Sequence, residues 1–185
     1  MSRLSFILEY ISHPRTVGAI MPSSKYLAEK MVRSVNFETA EAIAEYGPGT
    51  GVFTDLLLKK RVPRTKIVLI ERDKKFYEIL CEKYADEPNM CIINDSAANI
   101  GMYMIQYELP HMDYIISGLP FASLPREISS NILAGARENL KPEGEFISFQ
   151  YSLFKKDLIG KYFSKIEITM EFRNLPPAYV FCCSK

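Results

Sequence analysis

The stretch Glu45-Tyr46-Gly47-Pro48-Gly49-Thr50-Gly51 decides the fold, because an apolar run enters it and an amphipathic pattern leaves it. Residues 42–44 are apolar, and residues 52–58 have the spacing of a helix. A strand, a glycine-rich turn and a helix in this order bring free backbone N–H groups and the positive end of a helix dipole against a ligand. Glycine suits such a turn wherever φ is positive or a ligand must approach the backbone closely.

The glycines follow the spacing G-x-G-x-G, with Glu45 two positions ahead of the first, so the turn is not the dinucleotide pattern G-x-G-x-x-G. Taken alone, it is also typical of an ordinary loop. The next strand favours a ligand site. The β-branched run at residues 66–70 predicts a buried parallel strand that ends in Glu71 and Arg72. An acidic side chain at that point can accept hydrogen bonds from ribose hydroxyls.

Two further strand ends carry polar residues. Residues 90–94 predict a third strand that ends in Asp95 and Ser96, and an aspartate there could accept a hydrogen bond from the exocyclic amine of an adenine. Residues 113–116 predict a fourth strand that leads into Ser117-Gly118-Leu119-Pro120-Phe121. Because the carboxyl ends of parallel strands share one edge of a sheet, we expect these residues to line one crevice.

The rest of the chain continues the alternation of strands and helices, which indicates an α/β fold with a mostly parallel sheet and a hairpin-like pair of strands at the end. Helices are expected at residues 25–35, 74–84, 125–140 and 155–163, a turn at 141–144, and strands at 145–150, 166–171 and 179–183.

Composition excludes some classes of protein. The chain has 185 residues, 48% of them hydrophobic and 24% charged, and a formal net charge of +1. A dedicated nucleic-acid binder usually has a strongly basic surface, whereas the basic clusters here, within residues 59–66 and 72–75, suit anionic phospholipids as well as RNA. The four cysteines form no C-x-x-C pair and the two histidines lie far from them, so no metal site is expected and the thiols are expected to be reduced.

The N-terminal region allows two interpretations. Residues 2–12 have a helix-compatible apolar pattern that either packs on the core or lies in a membrane interface. The turn Pro22-Ser23-Ser24 either caps the following helix or also presents hydroxyl and N–H groups to a ligand. No stretch is long enough to predict a helix across a bilayer.

Together, the four strand ends resemble those of the class I S-adenosylmethionine-dependent methyltransferases. The resemblance implies a three-layer Rossmann-like fold with a mostly parallel seven-stranded sheet and a C-terminal antiparallel strand. It further implies one domain over residues 1–185, with an N-terminal helical segment (1–35) and a Rossmann-like core (36–185). The implied cofactor is S-adenosylmethionine.

Carried over to this chain, the glycine turn matches the part that wraps the methionine portion of the cofactor. Glu71 matches the ribose-binding acid, and Asp95 matches the residue near the adenine amino group. The expected cofactor-binding residues are Met21, Ser23, Glu45, Gly47, Gly49, Thr50, Gly51, Glu71, Arg72, Asp95, Ser96 and Ser117.

Within that class, the glycine turn and Leu119-Pro120-Phe121 resemble the ribosomal RNA adenine dimethylases. In those enzymes the fourth strand ends in Asn-Leu-Pro-Tyr/Phe, where the asparagine and the proline carbonyl hold the target amine and the aromatic ring stacks on the base. Here Gly118 stands in the asparagine position, and the chain ends where those enzymes continue into a helical RNA-binding domain. Both departures disfavour an RNA substrate.

A closer resemblance is to the bacterial phospholipid N-methyltransferases. It rests on Gly18-Ala19-x-x-Pro22-Ser23-Ser24, on Ser117-Gly118-Leu119-Pro120 and on Asn174-Leu175-Pro176-Pro177-Ala178. It implies stepwise methylation of phosphatidylethanolamine at a membrane surface, with residues 2–12 and nearby cations in peripheral contact with the bilayer. The expected location is cytoplasmic, on the inner face of the membrane, and the oligomeric state stays open.

The candidate catalytic residues are Ser117, Gly118, Leu119 and Phe121. An aliphatic amine must lose a proton before it accepts a methyl group, and Ser117, the carbonyls of Gly118 and Leu119, and the tyrosines Tyr26, Tyr46 and Tyr151 are candidate acceptors. Aromatic rings such as Phe121 favour a methylated ammonium, although core packing is the alternative for each of them. Two other functions remain open: an RNA adenine N6-methyltransferase without its accessory domain, and a cofactor-binding module without catalysis.

Overall fold

The computed structural model describes residues 24–185. The predicted first helix at residues 2–12 and the candidate cofactor contacts Met21 and Ser23 lie outside the described residues. Seven strands form one sheet in the order β3-β2-β1-β4-β5-β7-β6. The strands are β1 (Ala42–Tyr46), β2 (Lys66–Ile70), β3 (Met90–Ile93), β4 (Met112–Ser117), β5 (Leu140–Gln150), β6 (Lys165–Glu171) and β7 (Ala178–Ser184).

Strand directions confirm the predicted fold class. The pairs β1–β2, β2–β3, β1–β4 and β4–β5 are parallel, and β7 runs antiparallel to both β5 and β6. Every residue of β1 is buried, and only Lys66 of β2 is exposed, because helices cover both faces of a parallel sheet.

Six α-helices flank the sheet in the described part of the chain. They are α1 (Lys25–Met31), α2 (Val52–Lys60), α3 (Lys74–Lys83), α4 (Ile100–Gln106), α5 (Arg126–Asn139) and α6 (Lys156–Ile159). Helices α1, α2 and α3 pack with Ile67 and Leu69 on one face, whereas α4, α5 and α6 pack with Val68 and Ile70 on the other. Alternate residues of β2 thus face opposite cores, as the period of a strand requires, and the molecule has three layers.

The helix boundaries differ from the predicted ones at three places. Helix α1 ends at Met31 rather than residue 35, and α6 covers only Lys156–Ile159 of the predicted 155–163. Helix α4 was not predicted at all. It is seven residues long, contains Gly101 in its first turn and follows a 3-10 turn at Ala97–Asn99, so its local sequence carries a weak helical signal.

The predicted turn at residues 141–144 is part of an irregular β5. Leu140 pairs with Met112 and Glu145 with Tyr114, so four residues of β5 lie opposite the single residue Asp113. The buried carboxylate of Asp113 accepts hydrogen bonds from the backbone N–H groups of Glu41 (2.8 Å) and Ala42 (2.9 Å), and it pairs with Lys141. Pro142 and Gly144 therefore make a bulge inside the strand rather than a turn before it.

Replacement of Phe146 by alanine should destabilise the fold by about 3–5 kcal/mol, because it leaves a cavity in the core. The ring of Phe146 is fully buried, stacks on Phe163 (5.3 Å between centroids) and meets Phe121 edge to face (6.1 Å). Urea unfolding measures the loss. Phe172→Ala is the matched control, since that ring is 75% exposed and its removal should change the free energy of unfolding by less than about 0.5 kcal/mol. Equal losses in the two variants would contradict the assignment of the core.

Candidate active site

The glycine turn has the backbone conformation that its sequence predicts. Gly47, Gly49 and Gly51 all have positive φ, at 67°, 57° and 85°. The N–H of Gly47 donates to the carbonyl of Ile70 on β2 (2.9 Å), and Gly51 is the residue from which α2 begins. Only glycine adopts three such angles in five residues at little cost.

A set of side chains behind the turn holds it in place, and sequence reasoning missed them. The Tyr84 hydroxyl lies 2.7 Å from Asp55 Oδ1 and 3.1 Å from the Gly51 carbonyl, and Lys83 Nζ lies 2.7 Å from Asp55 Oδ2. A Cβ on Gly51 would lie 2.3 Å from that hydroxyl. Gly51 is therefore required both by its φ and by the close approach of Tyr84.

Glu71 bridges the glycine turn and the end of β2. Its Oε2 accepts from the N–H of Gly49 (3.0 Å), and its Oε1 accepts from the N–H of Asp73 (2.9 Å). Burial raises the pKa of Glu71, while these two backbone hydrogen bonds oppose the rise. An ionised carboxylate has about four acceptor positions, so two remain for the hydroxyls of a ribose. The bridging role was not predicted.

Glu45 is the buried acid beneath the turn. Its Oε2 accepts from the Thr54 hydroxyl (2.7 Å), whereas its Oε1 has no hydrogen-bond partner among residues 24–185. Burial raises the pKa of Glu45 to about 8, with the neighbouring charge of Glu71 a smaller cause. A buried acceptor without a partner is costly, and a cationic ligand at the turn would satisfy it.

Asp95 lines a cleft of about 420 Å³ at the carboxyl edge of the sheet, together with the predicted residues Arg72 and Ser96. Its carboxylate accepts from Asn99 Nδ2 (2.9 Å), the Tyr103 hydroxyl (2.8 Å) and the N–H of Ser96, and the Asn99 bond is the main reason that its pKa is lowered. The other lining residues were not predicted: Asn94, Ala98, Ile128 and Asn131. Asn99 and Tyr103 follow Asp95 at the helical spacing of four and eight residues, which was the available signal.

The end of β4 forms the candidate substrate loop, residues 117–121. Ser117 is fully buried and its hydroxyl accepts from the N–H of Leu119 (3.3 Å). The N–H of Gly118 donates to the Tyr46 carbonyl (2.9 Å), and Gln150 Nε2 donates to the Leu119 carbonyl (3.0 Å). These bonds fix the loop against β1 and β5, and Gln150 was not predicted to take part.

Two of the candidate aromatic residues, Phe121 and Tyr46, are buried, which agrees with the alternative of core packing. Phe121 is fully buried and packs on Phe146, so its ring belongs to the core rather than to a surface that an amine can reach. Tyr46 is also buried, and its hydroxyl has no partner within residues 24–185. Burial raises the pKa of Tyr46, so this phenol does not ionise near neutral pH and cannot supply a phenolate base.

Two motifs at opposite ends of the chain meet beside the sheet. The Asn174 side chain accepts from the N–H of Ser24 (3.0 Å) and donates to the Pro176 carbonyl (2.8 Å). The Ser24 hydroxyl in turn accepts from the N–H of Leu27 and caps α1. Ser24 belongs to the motif that begins at Gly18, whose first six residues lie outside the described part, and Asn174 begins the motif that ends at Ala178.

The site residues fit S-adenosylmethionine. The unpartnered oxygen of Glu45 suits a positive charge, the two free acceptor positions of Glu71 suit ribose hydroxyls, and the cleft at Asp95 has room for a base. When bound, this cofactor supplies a methyl group activated on a sulfonium. Thr50 lies exposed on the turn, and its carbonyl accepts from Lys83 Nζ (3.3 Å). Within residues 24–185, no cluster of three His, Cys, Asp or Glu side chains could hold a metal ion.

Solved structures agree with this fold. The O-methyltransferase from Bacillus cereus in complex with SAH superposes with a TM-score of 0.72 at 11% identity, over 100% of this chain and 91% of that one. At such low identity the likeness bears on the fold alone. Combined with the site and the relatives below, it defines the protein as a class I S-adenosylmethionine-dependent methyltransferase.

A family model described as "Ribosomal RNA adenine dimethylase" matches residues 21–154, and the chain belongs to this family. The ornithine lipid N-methyltransferase of Singulisphaera acidiphila is 27% identical over 183 residues, covering 96% of this chain and 93% of the relative. The ribosomal RNA small subunit methyltransferase A of Borreliella afzelii is 30% identical over 142 residues, covering 76% of this chain. The alignment spans 44% of that second relative, so this chain corresponds to less than half of its length.

Gly51→Ala should lose more stability than Gly49→Ala. Both substitutions place alanine at positive φ, which costs about 1–2 kcal/mol, but a Cβ at Gly49 meets nothing within 4 Å whereas one at Gly51 collides with Tyr84. Adding Tyr84→Phe to Gly51→Ala removes the colliding oxygen. The double variant should therefore be more stable than the sum of the two single losses predicts. Urea unfolding and calorimetric titration with the cofactor measure both effects, and strictly additive losses would contradict the contact.

The affinity for S-adenosylmethionine should rise with pH up to about 8 and level off above it. Below that pH the free protein holds a proton on Glu45, and the cationic cofactor favours the ionised carboxylate, so binding expels the proton. Calorimetric titrations in buffers of different ionisation enthalpy count the protons released.

The matched variant for this prediction is Glu45→Gln, which should lose the pH-dependent part. The ratio of native to Glu45→Gln affinity cancels the titration of the cofactor itself and should rise with pH to the same limit. Glu143→Gln, at an exposed carboxylate in the β5 bulge, should keep the native slope. A ratio that does not change with pH would show that Glu45 keeps its protonation state on binding.

Proposed function

We propose that the protein methylates a primary amine on the headgroup of a membrane lipid. The observation that carries the proposal is the shape of the substrate loop, residues 117–121, which keeps the proline of the adenine dimethylases but lacks two of the three features that hold a flat base in them. Gly118 has no amide side chain, and the ring of Phe121 is buried in the core.

The packing around Gly118 leaves no room for an asparagine side chain. A Cβ on Gly118 would lie 2.9 Å from the Gly47 carbonyl oxygen, which is closer than real Cβ atoms come to a backbone oxygen. An asparagine at this position would therefore require the glycine turn to move. The loop suits an acceptor that needs fewer directional contacts than an adenine edge, and a small aliphatic amine meets that requirement.

Methyl transfer to such an amine requires a proton acceptor. An alkylammonium resembles the lysine side chain, with a pKa of about 10.4, so it must lose a proton before methyl transfer near neutral pH. We propose that the backbone carbonyls of Gly118 and Leu119, two partly exposed residues, hold the amine and that its proton leaves to water. Alignment of the amine with the donor is the other requirement, and a loop fixed by Gln150 meets it.

The relative from Singulisphaera acidiphila, an ornithine lipid N-methyltransferase, aligns with almost the whole chain and supports a lipid acceptor. The motif resemblance points to phosphatidylethanolamine. Both lipids offer an amine at a membrane surface, and the proposal covers that shared chemistry. The cytoplasmic location on the inner face of the membrane and the contact of residues 2–12 with the bilayer stay predictions.

A second candidate is methylation of adenine in ribosomal RNA. The family to which the chain belongs and the relative from Borreliella afzelii support it. It requires an acceptor other than the asparagine that Gly118 replaces, and a stacking surface other than Phe121.

The test compares incorporation of labelled methyl groups into four substrates: vesicles with phosphatidylethanolamine, vesicles with ornithine lipid, vesicles of phosphatidylcholine alone, and unmodified small-subunit ribosomal RNA. We expect incorporation into one or both amine lipids. Phosphatidylcholine is the control because its nitrogen is already fully methylated, and Gly51→Ala, with its disturbed cofactor turn, should lower every signal. Incorporation into RNA alone would favour the second candidate, and none into any substrate would refute both.

A further inference from the structure

Six large apolar side chains are exposed together where two loops and the first described helix meet. We call them the apolar rim: Tyr26 on α1, Tyr151, Leu153 and Phe154 after β5, and Phe172 and Leu175 between β6 and β7. In residues 24–185 the only other large apolar side chains with comparable exposure are Ile79, Met102 and Ile105, which lie on α3 and α4. Six of the nine exposed large apolar side chains in the described part of the chain thus belong to the rim.

The sheet topology brings the parts of the rim together. Gln150, the last residue of β5, pairs with Tyr179, and Glu171, the last residue of β6, pairs with Ala178. Only β7 separates the two strand ends, and neighbouring strands lie about 4.8 Å apart, so the two loops leave the sheet about 10 Å from each other. Both leave from the carboxyl edge, where the cofactor turn also lies.

The degree of exposure is unusual for such side chains. Phe154 is 77% exposed, Phe172 75% and Leu175 69%. Single exposed apolar residues are common in soluble proteins, but a group of them at one edge marks an interaction surface.

Cations accompany the apolar side chains. Helix α1, residues 151–157 and residues 171–175 together contain the cations Lys25, Lys30, Lys155, Lys156 and Arg173, against the acids Glu29, Asp157 and Glu171. Glu171 is buried and bound to Arg173 (2.9 Å) and Lys30 (3.4 Å), so it adds little negative charge to the surface. A surface of apolar side chains bordered by lysine and arginine matches an anionic lipid bilayer, with rings among the acyl chains and cations at the headgroups.

The geometry of the cations fits this arrangement. Lys155 Nζ lies 5.5 Å from the centroid of the Phe154 ring, and the Arg173 guanidinium carbon lies 4.2 Å from that of Tyr26. Each long side chain therefore runs beside an aromatic ring, so its charge reaches headgroups while the ring goes deeper. The bond from Ser24 to Asn174 ties α1 to the β6–β7 loop, which makes the rim a preformed surface.

The rim adjoins the candidate substrate loop. Gln150, the residue before Tyr151, donates its hydrogen bond to the Leu119 carbonyl. A bilayer on the rim would therefore lie next to the residues proposed to hold the amine.

We propose that the apolar rim docks the protein onto an anionic bilayer and presents the crevice to lipid headgroups. The proposal rests on the proposed function in one respect, the choice of a lipid surface as the partner. It concerns described residues at the C-terminal half of the sheet, and is separate from the contact predicted for residues 2–12.

The test is co-sedimentation of the full chain, without cofactor, with vesicles that contain phosphatidylglycerol and with vesicles of phosphatidylcholine alone. Phe154→Ser/Phe172→Ser should weaken binding by roughly tenfold for each ring removed. The matched control is Met102→Ser/Ile105→Ser, which removes side chains that are 63% and 82% exposed on α4 and should bind as the native chain does.

A second pair of variants tests the contribution of the cations. Lys155→Glu/Lys156→Glu should weaken binding to phosphatidylglycerol vesicles by at least about fivefold for each cation lost. Arg137→Glu/Lys165→Glu makes the same change of net charge at the end of α5 and the start of β6, at the opposite edge of the sheet, and should have little effect. Thermal unfolding and cofactor titration confirm that each variant is folded, which is expected because all these side chains lie at the surface.

Native binding that survives the rim substitutions, or a native chain that binds RNA but no vesicle, would overturn the docking proposal. Failure of the proposed function alone would give a different result: vesicle binding would still depend on the rim, but no amine lipid would be methylated. Conversely, rim variants that no longer sediment with vesicles should still methylate a water-soluble, short-chain phosphatidylethanolamine if both proposals hold.

Discussion

The cofactor turn and the substrate loop are in direct backbone contact, and the rest of the site depends on that contact. Neither Gly47 nor Gly118 has a side chain to separate β1 from β4 at their ends, and a Cβ on either would collide with the other loop, at Leu119 or at the Gly47 carbonyl. Methyl transfer requires donor and acceptor to be aligned at close range. The two glycines allow the loops that would hold the donor and the acceptor to lie in direct contact.

The elements that could be predicted from sequence are those whose signal is local. The β-branched run of β2 identifies a buried parallel strand, and the acids that follow β2 and β3 mark the ligand edge, because strand ends in a parallel sheet face the same way. The positive φ of the glycine turn follows from its spacing in the same way. Local sequence therefore locates the ligand edge, whereas the identity of the cofactor, S-adenosylmethionine, is implied by the resemblance to the class I methyltransferases.

What could not be predicted depends on contacts between distant parts of the chain. Tyr84 reaches Gly51 from another helix, and Asn174 reaches Ser24 from the far end of the sequence. Phe121 is a candidate ligand-facing ring because it follows the predicted end of β4, yet its ring packs against Phe146 on the next strand. Local sequence does not say whether an aromatic residue will be buried by tertiary packing.

The two edges of the sheet differ in how their buried carboxylates are hydrogen-bonded, and the bulge opposite Asp113 lies at the amino edge. At the amino edge, Asp113 directs its carboxylate to Lys141 and to the backbone of residues 41 and 42, so its acceptor positions serve the fold. At the carboxyl edge, Glu45 and Glu71 keep acceptor positions in reserve. The buried carboxylate at the amino edge is thus fully hydrogen-bonded within the fold, whereas the carboxylates at the carboxyl edge are not. A ligand that binds at the carboxyl edge would supply the missing hydrogen-bond partners.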